Sequence, residues 1–183
     1  MRFVDFLRTT VLISAAAASA LAAVTLARAV TSEDNLVVLV SAGWWVVSAL
    51  AGLWLGRRGD TSPPIASLLA SAKTQTSLPE VNPSRTVLNR LWPLLVSTLG
   101  AGALGVILPQ VSGIAAGFPI IWALAWRRQG AAVSAIEQRD GARFYVEPTS
   151  PLKPIRLVRT PGFRTNLPEL NGASSSRPAR PRA

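Results

Sequence analysis

Charge is missing from three long stretches of this chain, and that restricts its folding more than any motif does. Thr9 to Ala27 ("TTVLISAAAASALAAVTLA"), Asn35 to Gly56 ("NLVVLVSAGWWVVSALAGLWLG") and Leu91 to Trp126 contain no Asp, Glu, Lys or Arg. A chain of 183 residues cannot place that many apolar helices at the centre of one soluble core. About 20 apolar residues cross the roughly 30 Å of bilayer hydrocarbon. The first two stretches fit one span each. The third is too long for one, and "LPQVSG" at Leu108 to Gly113 divides it into two joined by a tight turn at Pro109-Gln110. The expected fold class is an all-α membrane protein, a four-span transmembrane helical bundle with spans over 9–30, 35–56, 91–108 and 110–126.

The basic residues orient it. Residues 1–8 carry Arg2 and Arg8, whereas the first connection carries Arg28 beside Glu33 and Asp34. The segment 57–90 holds Arg57, Arg58, Lys73, Arg85 and Arg90, and Arg127-Arg128 close the fourth span. Thus 18 of the 19 Lys and Arg residues fall on one side, which the positive-inside rule makes cytoplasmic. The expectation is a multi-pass protein of the plasma (inner) membrane, bacterial in type, N-in and C-in. Trp54, Trp92 and Trp126 sit near the same span ends, where an indole prefers the interface. A cleaved signal peptide is the alternative for the first span, since "ARA" at Ala27 to Ala29 resembles a small-residue cleavage site.

Two polar segments remain. Within 57–90, "PPIASLLASAKTQ" places Ile65, Leu68 and Leu69 at helical spacing behind a proline. It reads as an interfacial helix over 64–76 lying on the bilayer, or as a disordered linker. Residues 127–170 form a basic cytoplasmic segment. Asp140-Gly141 between "AVSAIEQ" and "ARFYVEP" signals a hairpin over 132–147, with Phe144 and Val146 on one face. A further short strand, "PIRLVR", puts Ile155 and Leu157 on one face. Strands this short need the membrane, the second connection or another chain for support. Residues 171–183, "NGASSSRPARPRA", read as a disordered tail.

The chemistry points away from catalysis. The chain has no Cys and no His, so thiolate nucleophiles, Cys or His zinc sites and His-based triads are excluded. No cofactor and no metal are expected. No ionisable residue lies within the stretches 9–27, 35–56 and 91–126 that form the predicted spans, which disfavours proton-coupled transport. Glu137, Asp140, Glu147 and Tyr145 are the nearest thing to an enzyme's inventory, and no third group completes a site.

Small residues four apart, Ser48 and Gly52, Ala101 and Gly105, Gly113 and Gly117, let helices approach closely. They pack the bundle or, alternatively, a homo-oligomer; the hairpin of spans three and four should bring its small faces together. Trp44 and Trp45, in mid-span, need acceptors for their indole N–H groups, and Ser41 and Ser48 lie one turn away. The tail is the binding element. Residues 127–183 carry 11 basic and 4 acidic side chains, a formal +7. Lys153, Arg156, Arg159 and Arg164 interleave with aliphatic residues and Phe163. With Arg143, Phe144 and Tyr145 they form the candidate surface for anionic lipid headgroups or a protein partner. Nucleic acid fits less well, for no binding fold accompanies the charge. Thr160 in "VRTPGF" is a candidate phosphate acceptor that would weaken lipid contact. The expected function is a non-enzymatic membrane adaptor or accessory subunit. The alternative is an oligomeric pore or a holin-like permeabiliser.

Overall fold

The computed structural model describes residues 1–32, 35–57, 61–74, 83–147 and 155–161. Helices dominate: α1 (Phe3–Ser32), α2 (Asn35–Leu55), α3 (Pro63–Ala70), α4 (Pro83–Ile107), α5 (Pro109–Trp126) and α6 (Gln129–Asp140). Three short strands, β1 (Lys73–Thr74), β2 (Ala142–Val146) and β3 (Leu157–Pro161), make one sheet. By length and composition α1, α2 and α4 are each able to cross a membrane. They turn large side chains outward, with Val30, Leu39 and Ile107 at least three-quarters exposed (78%, 75% and 75%). An apolar surface that broad belongs in hydrocarbon rather than water.

The hub of the bundle is α5, which packs against α1, α2 and α4. Its glycines decide this. Gly113 lies against Ser41, and Gly117 against Trp44 and Ser48; Gly52 of α2 lies against Ile121 and Leu124. These pairs advance together along both chains, so α2 and α5 run parallel. A side chain at any of these glycines would occupy its neighbour's place. Of the described α4 glycines, Gly105 alone lies against α5, at Ser112. The expectation that spans three and four bring their small faces together is therefore corrected. The Gly113 and Gly117 face turns to α2, whose Ser41, Ser48 and Gly52 make an equally low ridge. Pro119 cannot bond the carbonyl of Ala115 and sits buried within α5.

At one end of the bundle, four separate segments build a second core. Phe3, Val4, Phe6 and Leu7 of α1, Ile65 of α3, Val133 of α6, Phe144 and Val146 of β2, and Leu157 of β3 are buried together. The 30 residues of α1 rise about 45 Å, some 15 Å more than hydrocarbon thickness requires. The surplus N-terminal turns supply half of this core. Strand order is β1-β3-β2, with β1 parallel and β2 antiparallel to β3. Residues 1 and 2 extend the sheet beyond β2: the Val146 N–H donates to the Met1 carbonyl at 3.1 Å, and Arg2 bridges Tyr145.

Two sequence expectations fail here. Over 129–140, where the first arm of the hairpin 132–147 is expected, the chain is helical. Gly141 is left-handed at φ 59°, and its N–H donates to the Glu137 carbonyl, capping α6. An Asp-Gly pair supplies positive φ equally well to a hairpin turn and to a helix end. Ala131, Ala132, Ala135, Gln138 and Arg139 favour the helix. The helix expected over 64–76 spans Pro63–Ala70, and Lys73-Thr74 then joins the sheet. Its Ile65 is buried in protein, not laid on a bilayer. Residues 75–76 and the tail 171–183 lie outside the described residues.

Candidate functional site

The basic end is organised by one buried carboxylate. Val133 and Glu137 are a turn apart on the inward face of α6. From there one Glu137 oxygen pairs with the Arg2 guanidinium at 2.8 Å, and the other accepts the Phe144 N–H at 3.0 Å. One side chain thus ties Arg2 to Phe144, the middle residue of the inward face of β2. The bond to Glu137 raises the pKa of Arg2 above its ordinary value, against the opposing effect of burial. A raised pKa keeps the cation, and its share of the pairing, at every pH below the ordinary guanidinium value. Arg2 is part-exposed, so its half of the pair is screened.

Around this node the predicted surface residues divide. Phe144 is buried in the shared core and is unavailable to lipid or partner. Arg143 and Arg156 are exposed, while Tyr145 and Arg159 are half-buried. The antiparallel register sets Arg143 opposite Thr160 and Phe144 opposite Arg159. Lys153, Phe163 and Arg164 lie outside the described residues. Thr160 is buried, and its hydroxyl donates to the Arg143 carbonyl at 3.2 Å, so a phosphate there would require the strand pair to open. Asp140 pairs with its exposed neighbour Arg139 at 3.0 Å, and Glu137 is committed to structure. Among the described residues no three His, Cys, Asp or Glu side chains gather.

Five of the six small residues meet a neighbouring helix of the same chain. Gly52, Gly105, Gly113 and Gly117 each meet a neighbouring helix, Ser48 is buried beside Gly117, and Ala101 is half-buried on α4. Trp44 and Trp45 correct the expectation of local hydroxyl acceptors. Their indole N–H groups cross to α5, donating to the carbonyls of Ile114 at 3.0 Å and Gly113 at 2.8 Å. Gly113, with no side chain of its own, lets Ser41 of α2 come close to α5 at this level. On the other flank of α5, the Thr25 and Ser112 hydroxyls share a buried 2.9 Å bond with α1.

A cleft of about 650 Å³ opens between α1, α4 and α5, under α3. Phe3, Phe6, Trp122 and Trp126 give it apolar walls, Ser14 and Ser97 add hydroxyls, and Arg90 is its one charged lining residue among the described residues. Such a space accepts an apolar chain and offers no nucleophile paired with a base. What sequence reasoning missed is the pairing of Arg2, which it used only to orient the chain, with Glu137, which it weighed only as an enzyme's carboxylate. Its signal was the helical spacing of Val133 and Glu137 in an alanine-rich run.

No protein-family model matches the chain, and neither a curated protein nor a solved structure is significantly similar to it.

Proposed function

We propose that the chain is a four-span protein of the plasma membrane, N-in and C-in, acting as a non-enzymatic adaptor or accessory subunit. Its membrane-facing sheet would lie against anionic lipid and be available to a protein partner. The observation that carries this is the composite core. The N-terminus, α3, α6 and the sheet meet at one end, which supports two outward and two returning helices, with α5 as the fourth span. The 18 residues of α5 rise about 27 Å alongside α2, close to hydrocarbon thickness. The same core supports retention of α1, for cleavage after Ala29 would remove Phe3 to Leu7 from it. Arg143 and Arg156 stand exposed on the sheet, where each basic residue near an anionic leaflet contributes about 1 kcal/mol.

The pore alternative loses its proposed interface, because Gly52, Gly105, Gly113 and Gly117 are occupied within one chain. Reconstitution tests the choice. Hydrogen exchange over 142–161 should be slower in anionic than in neutral bilayers, and the difference should shrink as salt rises. Equal exchange in both would remove the lipid-docking role. Dye-loaded proteoliposomes should remain sealed, and leakage would return the pore to first place.

A further inference from the structure

On α2, the small-residue ridge Ser48, Gly52 and Gly56 runs directly into Arg57. Gly56 lies against the Leu124 carbonyl and Gly52 against Ile121, so the ends of α2 and α5 nearly touch. Arg57 is thereby set beside Arg127 and Arg128, and the Arg128 guanidinium reaches the Arg57 carbonyl at 3.4 Å. Two cavities, of about 660 and 750 Å³, share Trp54 and Arg57 at this junction. The larger is walled by Leu50, Leu53, Trp54 and the three arginines. The smaller continues past Thr61 and Ser62 to Gln129, whose side-chain oxygen is held by the Ser62 N–H at 3.1 Å.

Among the described residues the two cavities together are lined by three guanidiniums and no carboxylate. All three arginines are exposed, as are Trp54 and Leu50, while Leu53 is half-buried beside them. Like charges crowded at a low-dielectric boundary repel one another, and an anion among them relieves that repulsion. Planar guanidiniums suit phosphate oxygens in pairs. Directly beneath, Leu50 and Leu53 offer an apolar wall of the kind acyl chains cover.

We propose that this cradle binds one anionic phospholipid, with its phosphodiester among Arg57, Arg127 and Arg128 and its acyl chains along Leu50 and Leu53. The site is separate from the sheet, and it rests on the reading that this end borders a membrane leaflet. A free phosphate would satisfy the arginines but leave the leucines and Trp54 uncovered.

The full-length protein in phosphatidylcholine-containing micelles is titrated with phosphatidylglycerol, and retained lipid is read by native mass spectrometry. One phosphatidylglycerol per chain should be held about tenfold more strongly than phosphatidylcholine. Excess inorganic phosphate should not displace it. The variant R57K/R127K/R128K keeps the charges that orient the chain, yet its retention should fall about tenfold because the paired guanidinium contacts are gone. The sheet variant R143Q/R156Q/R159Q should retain lipid as the wild type does, whatever happens to docking of the sheet. Equal retention of the two lipids, displacement by phosphate, an unaffected lysine variant, or loss in the sheet variant would each overturn the proposal.

Discussion

A buried carboxylate with both oxygens engaged is sensitive to any change that spares its partners. Glu137→Ala would strand the Phe144 N–H in the core and leave Arg2 without its anion. The expected loss is about 2 kcal/mol, held to that by the partial exposure of Arg2. Glu137→Gln keeps an acceptor for Phe144 and should lose about half as much, which thermal unfolding of the purified protein would resolve. Within the bundle, two adjacent positions should respond oppositely. The Ser48 hydroxyl is buried with no hydrogen-bond partner among the described residues, so Ser48→Ala should be neutral or stabilising by up to about 1 kcal/mol. Gly117→Ala would thrust a methyl into the Trp44 indole and should cost about 1–3 kcal/mol, with altered near-UV dichroism from that ring. The small residues were legible from sequence as packing positions. What was not legible is which neighbour each one meets, because spacing fixes a face but not its partner. Trp44 and Trp45 show the same limit: an indole's need for an acceptor follows from its chemistry, but that the acceptors are α5 carbonyls follows from the packing of α2 on α5.

At the scale of elements, the reading succeeded where one pattern dominated and failed where one signal served two structures. Alternation in "ARFYV" marked Phe144 and Val146 as an inward face, and both are buried in β2. Ile155 and Leu157 likewise turn to the core. By contrast Asp140-Gly141 signals a hairpin turn in the sequence, whereas it ends α6. Positive φ alone could not separate them, and the alanine content ahead of it was the better guide. The partner of β2 is then β3, some ten residues further on, and that register is testable because the chain has no cysteine of its own. Arg143 and Thr160 are paired across the strands, within the usual span of a disulfide. The variant R143C/T160C should cross-link under mild oxidation, and A142C/T160C, one residue out of register on opposite faces, should not. A hairpin within 132–147 predicts no bond in either variant. Pairing of the second connection was foreseen as one means of support for these strands, and β1 and α3 supply it. The N-terminus was not foreseen, since nothing in "MRFVDFL" distinguishes a solvated leader from a core strand and helix turn.

Taken whole, the molecule joins residues 1–7 to α6, β2 and β3 on one side of an apolar bundle, and that junction bears on how many helices cross. Were α5 to stop short of crossing, a chain with three spans would put residues 1–7 and β2 on opposite sides of the membrane. The Met1 carbonyl could not then meet the Val146 N–H, nor Arg2 meet Glu137. The basic side chains argue in the same direction by an independent route, since they bias residues 1–8, the connection 57–90 and the segment after Trp126 toward the interior without reference to any contact. Single cysteines separate the alternatives in intact cells. Leu108, exposed at the α4–α5 junction, lies at the far end of the bundle from Arg143, exposed on β2. Under the four-span, N-in reading, Leu108→Cys reacts with a membrane-impermeant maleimide from outside, and Arg143→Cys reacts only after permeabilisation. Labelling of both from outside would mean that α5 does not cross. Labelling of Arg143→Cys alone would mean an inverted molecule, with the arginine cradle and the sheet both turned away from the cell interior.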